Sequence, residues 1–566
     1  MTDRTRRTQA TSSLRMGFIA AAALGVCAIA LADDYGPLPP IGSSNVSIAD
    51  PLVHRPATTP CEVALFTDET FNDFSPRDFA YAPPAGCVGP WAKVVLLFDL
   101  SVTAGRQFDR TSTMWLGGVN IFFGTTAEPT ATLAPSWHVE RDLTDYTALL
   151  SSAQAGRVLI GNVVDTTYTG IIHGSAKLQF YPLSTDPAPF VADVVLPLGS
   201  DAVGATVDLA TPTATLSKTF TLPTNIQQAY LDVIAQSQGS DEFWWTCMPD
   251  DVAAITGDCP GTAFREVEIT LDGTPAGVAP VYPWVYTGGF QPLLWIPIPG
   301  VQTLNFPPYR VDLSPFAGVL SDGQPHTVAL SVFNTHDHFS TTATLLLNLD
   351  AGSTQVTGAI TENTLTGAPT PVVNSTIGSD GLGTVTVDST RSFRIAGYAQ
   401  TSHGRVDSVL EQTFTFNTTS SYATVSPTVT QWTVAQNTSV DTTLNASSAS
   451  ASTGYSTSLR YPFLLTLPFN SQSGSLITAD FDQQYLLDTS TLISGVPFQS
   501  SSLSNHVNTH HAAASANRHS SQDYESHGFD GSCYSRVITT AANKLTSVVD
   551  DVPCDRIFAN GFDGAD

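Results

Sequence analysis

The feature that most constrains this chain is how its apolar residues are spaced. They alternate with polar ones over short stretches, and Gly, Pro, Ser, Thr or Asp interrupts each stretch. Arg265–Gly273 sets Val267, Ile269 and Leu271 against Glu266, Glu268 and Thr270, the two-residue period of a strand with one face buried. Gln227–Gln236, His326–Val332, Thr341–Leu349 and Ser458–Leu467 read the same way. Lys93–Val102 is a nearly continuous apolar run, as expected of a strand buried on both faces. Helix candidates are scarce, the best being Tyr146–Leu150 with Thr144 or Asp145 as its cap. Many strands with short turns predict an all-β fold: two jelly-roll β-sandwich modules side by side, followed by a C-terminal β-rich region.

Length allows several domains in 566 residues. A Pro/Ala-rich stretch at Pro182–Pro189 divides a first module, 51–185, from a second, 186–350. Beyond 350 the texture turns to Ser, Thr, Asn and Gly, giving a third region over 351–500. Residues 501–566 read as a polar, His-bearing loop and a disulfide-closed tail. The chain carries 50 acidic against 23 basic residues, a net charge of −27, which argues against a nucleic-acid partner. At 13% charged and 9% aromatic residues it is too apolar for a disordered acidic chain.

Arg4, Arg6, Arg7 and Arg15 precede an apolar run from Met16 that ends in Ala30-Leu31-Ala32, the pattern of a cleaved export signal over residues 1–32. The expected destination is the periplasm or the outside of the cell, with no membrane attachment after cleavage. Six cysteines then remain in three sequence-local pairs, expected as disulfides 61–87, 247–259 and 533–554. Their spacing does not suit zinc, and no metal or cofactor is expected. Thr335-His336-Asp337-His338 and the histidines after 500 lack regular ligand spacing and read as structural or solvated. A nucleophile elbow, a P-loop and a dinucleotide fingerprint are all missing.

Seven of the eight tryptophans fall between positions 91 and 295. Indoles either fill a core or stack on sugar rings, so the first two modules are the better place for chemistry. Two segments have the character of signatures. One runs Gly105-Arg-Gln-Phe-Asp109-Arg110-Thr, through Trp115-Leu-Gly-Gly, to Thr126-Ala-Glu128-Pro-Thr, Trp137 and Asp142-Leu-Thr-Asp-Tyr146. The other begins Leu222-Pro-Thr-Asn225 and passes Gly239-Ser-Asp241-Glu242-Phe-Trp-Trp245. It continues through Arg265-Glu-Val, Asp272-Gly, Tyr286-Thr-Gly-Gly289 and Leu294-Trp-Ile-Pro297 to Tyr309.

In this order the segments resemble the peptide N-glycosidase A family, with a more distant similarity to peptide N-glycosidase F. The resemblance covers about residues 60–350. It implies a secreted amidase that splits the bond between asparagine and the innermost N-acetylglucosamine of N-glycans. The products would be an aspartate-containing peptide and a glycosylamine, with an acidic pH optimum. The substrates would be N-glycosylated peptides or proteins and the enzyme a monomer. Asp109 matches the principal catalytic aspartate, and Glu242 matches an essential glutamate of the second module. A third acid of the relatives falls near Ile160-Gly-Asn162, where Asn162 stands instead.

Amide hydrolysis needs an activated water and a proton for the departing nitrogen, a division of labour suited to two carboxyls in different environments. Substrate contacts are assigned to Trp115, Glu128, Asn162, Asp241, Trp244 and Trp245. If residues 241–245 are extended, Glu242 and Trp244 share a face, an acid beside a sugar-stacking indole. On the same parity Asp109 projects opposite Arg106 and Arg110, which would pair with carboxylates such as Asp142. Glu266 and Glu268 are expected to be solvated, and Asp142 and Asp145 to serve a turn. Two other readings of the chain are a non-catalytic glycan-binding jelly roll and an endo-acting glycoside hydrolase.

Overall fold

The computed structural model describes residues 35–184, 188–423, 428–447, 449, 451–470, 475–476, 478–529 and 531–550. The expected signal segment and Cys554, hence the third disulfide, lie outside them. The fold is all-β. The first module holds eight strands: β1 (Cys61–Phe71), β2 (Arg77–Tyr81), β3 (Trp91–Val102), β4 (Thr111–Leu116), β5 (Val119–Thr125), β6 (Ser136–Asp142), β7 (Gln154–Ile160) and β8 (Ile172–Pro182). They form two antiparallel sheets, ordered β1-β8-β3-β6 and β2-β7-β4-β5. Between them lies a core in which Phe98 meets Phe122 edge-on at 5.1 Å. The end of β3 corrects one expectation. Phe98, Leu100 and Val102 point inward while Asp99 and Ser101 face out, so this sheet keeps a polar outer face.

The second module repeats the plan. Its strands are β9 (Val194–Pro197), β10 (Val207–Leu209), β11 (Leu216–Thr221), β12 (Ile226–Gln238), β13 (Glu266–Leu271), β14 (Thr274–Pro280), β15 (Tyr309–Asp312), β16 (Pro325–Val332) and β17 (His338–Leu349). One sheet runs β10-β17-β12-β15, with β9 also on β17, and the other β11-β16-β13-β14. The two modules are joined by backbone and rings. Phe306 N–H donates to Phe123 O at 2.7 Å and Thr125 N–H to Thr303 O at 3.0 Å. Phe306 stacks on Trp284 at 4.1 Å and on Phe123 at 5.5 Å. Tyr146 Oη donates to Asp232 Oδ2 at 2.9 Å.

From Thr357 to Asp550 the chain forms a single twelve-stranded antiparallel sheet, built largely from successive hairpins such as Gly383–Thr401 with Gly404–Ala423. Residues after 500 belong to it: Val496–Ala512 pairs with His519–His527, so the expected polar loop is instead two strands. The alternation there is Ser/Thr/His against Val, Thr and Tyr, a pattern that hides the strand behind its polarity. This sheet shares a core with the second module through Phe414, Phe416 and Phe463. Residues 36–52 run across the first module to the last strands of the twelve-stranded sheet. Gly42 N–H donates to Leu545 O and Leu545 N–H to Ser43 O, both at 2.8 Å. Tyr534 Oη donates to Ala49 O at 2.7 Å.

Candidate active site

Asp109 lies in the loop that enters β4, and one side chain shapes that loop. Gln107, 3% exposed, donates from Nε2 to Val163 O at 2.8 Å and to Gly170 O at 3.1 Å. Its Oε1 accepts from Phe108 N–H at 3.0 Å and Arg110 Nη2 at 2.8 Å. Arg110 N–H donates to Thr126 Oγ1 at 2.9 Å and Thr126 N–H returns to Arg110 O at 3.0 Å, which ties the loop to the end of β5. Glu128 follows two residues later, and its Oε1 accepts the backbone N–H of Asp109 at 3.2 Å.

The second module reaches the same place through Tyr286-Thr-Gly-Gly289. Thr287 Oγ1 donates to Thr126 O at 2.8 Å, and Gly288 N–H donates to Asp109 Oδ2 at 3.1 Å. Position 288 has no room for a side chain: a Cβ there would collide with Glu128 Oε1 and come within 3.0 Å of Asp109 Oδ1. A glycine is what lets this backbone approach two carboxyls at once.

Glu242 arrives from the far end of β12. Gly239, at φ +58°, turns the chain out of the strand into two short 3-10 turns, Gly239–Asp241 and Trp244–Thr246. Ser237 Oγ donates to the Glu242 carbonyl at 3.1 Å, and Tyr286 Oη to Ser237 O at 2.7 Å. The structure thus brings Asp109, Glu128 and Glu242 to one neighbourhood at the junction of the two modules. Their charges register each other. Burial, then the Asp109 charge, pushes Glu128 up to about 7, and the same two causes push Glu242 up to about 7. Burial also raises Asp109, opposed by the Gly288 N–H and the Arg110 guanidinium, both of which favour its ionised form. Tyr286 is raised mainly by burial, and the charges of Glu242 and Asp109 add to that.

The other assigned contacts fall elsewhere. Trp115 is 2% exposed and closes over Gly204. Trp244 and Trp245 are sealed, the first against Phe416 at 5.5 Å and the second against Phe463 at 4.4 Å, where they bind the third region to the second module. Asn162 is buried, its amide spent on Phe71 O at 2.9 Å and Gly170 O at 3.3 Å. Asp241 is fully buried against Arg265, with Oδ1 at 2.6 Å from Nη2, and its Oδ2 accepts His336 N–H at 2.8 Å and Asp337 N–H at 2.7 Å. All five side chains are buried in the structure.

The expectation of an extended segment fails with them, because the 3-10 turns abolish a two-residue parity. Arg110 does not stand apart from Asp109, and Asp142 pairs with Lys93 at 2.7 Å instead. Asp142 does serve its turn, accepting Thr144 N–H at 2.9 Å. Glu266, expected in solvent, is buried against Arg391. Gln107, Thr126 and Gly288 had no assigned role. The only signal for the last was the doubled glycine in Tyr286-Thr-Gly-Gly289. The disulfides 61–87 and 247–259 form as expected. Among the described residues no group of three His, Cys, Asp or Glu is arranged to hold a metal ion.

Acids of the two sandwiches converge near a glycine of the second that meets Asp109 and Glu128, and the comparisons give the chain a family. The sequence model of the peptide N-acetyl-beta-D-glucosaminyl asparaginase amidase A family matches residues 51–363, and the chain belongs to that family. The peptide-N4-(N-acetyl-beta-glucosaminyl)asparagine amidase A of Prunus dulcis is 31% identical over 388 residues, which cover 64% of this chain and 67% of the almond protein. Among solved structures, PNGase F, a glycosylasparaginase from Flavobacterium meningosepticum, aligns at a TM-score of 0.37 and 15% identity, over 51% of this chain and 96% of its own. PNGF-II aligns at 0.36 and 13%, over 51% and 65%.

Proposed function

We propose that this chain hydrolyses the amide between asparagine and the innermost N-acetylglucosamine of N-glycosylated peptides, and that Asp109 and Glu242 carry the reaction. The observation behind this reading is the convergence of carboxyls from two modules in one half-buried place, with unequal support for their charges. Asp109 has a backbone N–H and a nearby guanidinium to hold it ionised. Among the described residues Glu242 has neither, and burial, with the charge of Asp109 added, keeps it protonated up to about pH 7. In the reaction, Asp109 takes a proton from water as the water oxygen bonds to the side-chain carbonyl carbon of asparagine. The carbon–nitrogen bond then breaks while Glu242 gives its proton to the departing nitrogen. Aspartate remains on the peptide, and the glycosylamine leaves and decays to free glycan. Glu128, hydrogen-bonded to the Asp109 backbone, positions that loop and adds a second carboxyl that is neutral below about 7.

This assignment works when Glu242 is protonated and Asp109 ionised, so turnover peaks on the acid side of neutrality and falls above about pH 7. We read the two sandwiches as jelly rolls, supported by the orders β1-β8-β3-β6 and β2-β7-β4-β5. The protein is read as an exported monomer. The disulfides 61–87 and 247–259 support an oxidising compartment, and no described helix is long and apolar enough to cross a membrane. A single incubation tests the activity. A glycopeptide in heavy-oxygen water should yield an aspartate peptide carrying one solvent oxygen. A sugar left on asparagine, or an unchanged peptide, would overturn the reading.

A further inference from the structure

A concavity of the described structure lies away from the carboxyl cluster. It is a groove of about 680 Å³ on the outer face of the β1-β8-β3-β6 sheet, bounded by residues 36–52, the loop after Ile298 and the strand at Gln522–Tyr524. All three regions of the chain contribute to it, and its volume lies in the range of sites that take a small organic ligand. Its floor is polar because β3, β6 and β8 turn Asp99, Ser101, His138 and Ser175 outward. Its flank is apolar, with Pro37, Leu38, Pro39, Pro51 and Pro299. A pyranose has the matching pair of surfaces, an apolar C–H face and a rim of hydroxyls.

The floor is also held in place. His138 Nδ1 lies 2.7 Å from Asp99 Oδ1 and its Nε2 3.1 Å from Glu140 Oε1, while Glu140 is clamped by Arg55 and accepts Val53 N–H at 2.8 Å. Fixing acceptors before a ligand arrives reduces the entropy lost on binding. The Asp99 side chain stays 66% exposed, so its oxygens remain open to a ligand hydroxyl. Asp50, Asp68, Asp99 and Glu140 outnumber the histidines 138 and 173 along this lining, a field that repels anions. Val46 lines both this groove and the small gap beside Glu128, so one segment of chain separates the two places.

We propose that the groove is a second binding site, separate from the carboxyl cluster, for a short neutral oligosaccharide. It does not depend on the amidase reading, since binding a free glycan requires no asparagine amide. The test titrates the full chain with a borohydride-reduced, uncharged oligomannose glycan, whose opened terminal sugar is not a substrate. Saturable binding is expected. It should weaken at least about tenfold in Ser101→Trp, which fills the groove, and in Asp99→Ala, which removes an acceptor, and it should persist in Asp109→Asn. A sialylated glycan should bind more weakly than the neutral one. Should Ser101→Trp melt early, Asp99→Ala carries the test, because its side chain is exposed. The proposal is overturned by no saturable binding, or by affinity unchanged in groove variants that melt like the parent. It is equally overturned by affinity lost only in Asp109→Asn, or by a response to calcium ions with none to the glycan.

Discussion

Asp241 and Glu242 are neighbours in the chain and opposites in circumstance. Asp241 is sealed from solvent with every charge answered: a guanidinium on one oxygen and two backbone N–H groups on the other. Glu242 is half-buried near another carboxyl, no cation among the described residues meets it, and it is pushed up to about 7. Burial alone therefore does not mark a reactive acid. A buried charge that is paired holds the fold together, whereas an unpaired one next to a like charge becomes a proton store.

The largest expected effect is on the unpaired side. Asp109→Asn and Glu242→Gln should each cut the initial rate of aspartate-peptide formation by about 10²–10⁴-fold without unfolding the protein. Less than a tenfold loss in either would remove that residue from the chemistry. The paired side should respond in stability. Asp241→Asn strands the Arg265 guanidinium and should cost about 3–5 kcal/mol in a denaturant titration. If it unfolds at the same denaturant concentration as Glu242→Gln, the contrast collapses.

Next comes the disulfide that follows Trp245. Replacing both Cys247 and Cys259 by Ser opens a loop of 12 residues and should cost roughly 3 kcal/mol. Turnover should also fall under conditions where both proteins are folded, because that loop backs the turns carrying Glu242. Full turnover would show that the turns hold without it.

The smallest effect is a pH dependence with a definite sign. Folded Glu242 keeps its proton up to about 7, while the unfolded chain loses it near 4.5, so stability contributed by this residue falls as pH rises between those values. At about pH 8, Glu242→Gln should therefore be more stable than the parent by about 2 kcal/mol, allowing for partial solvent screening. Below about pH 4 the difference should vanish. Melting curves of the two proteins across that range decide it.

What could be read from the chain divides along the same line as these acids. Alternation with period two is a local property, and it located β13, β16 and β17 and the all-β class. The meeting of Asp109 with Glu242 was likewise accessible, as an ordered set of motifs. What escaped depends on partners far along the chain. Glu266 looks solvated until Arg391 arrives from the third region. Trp244 and Trp245 look available until Phe416 and Phe463 cover them. Phe416 sits in a Ser/Thr-rich strand whose polarity conceals one apolar row. The segment after β12 departs from strand parity for a local reason: Gly239 adopts a left-handed backbone that ends the strand.

The contact between residues 42–49 and the strands around Tyr534 and Leu545 has a bearing on how such a molecule is made. Residues 42–49 find their seat only once the strands around Tyr534 and Leu545 have been synthesised, so this contact closes late in assembly. A protease cut in either segment would loosen the other, and the two should fray together rather than in turn.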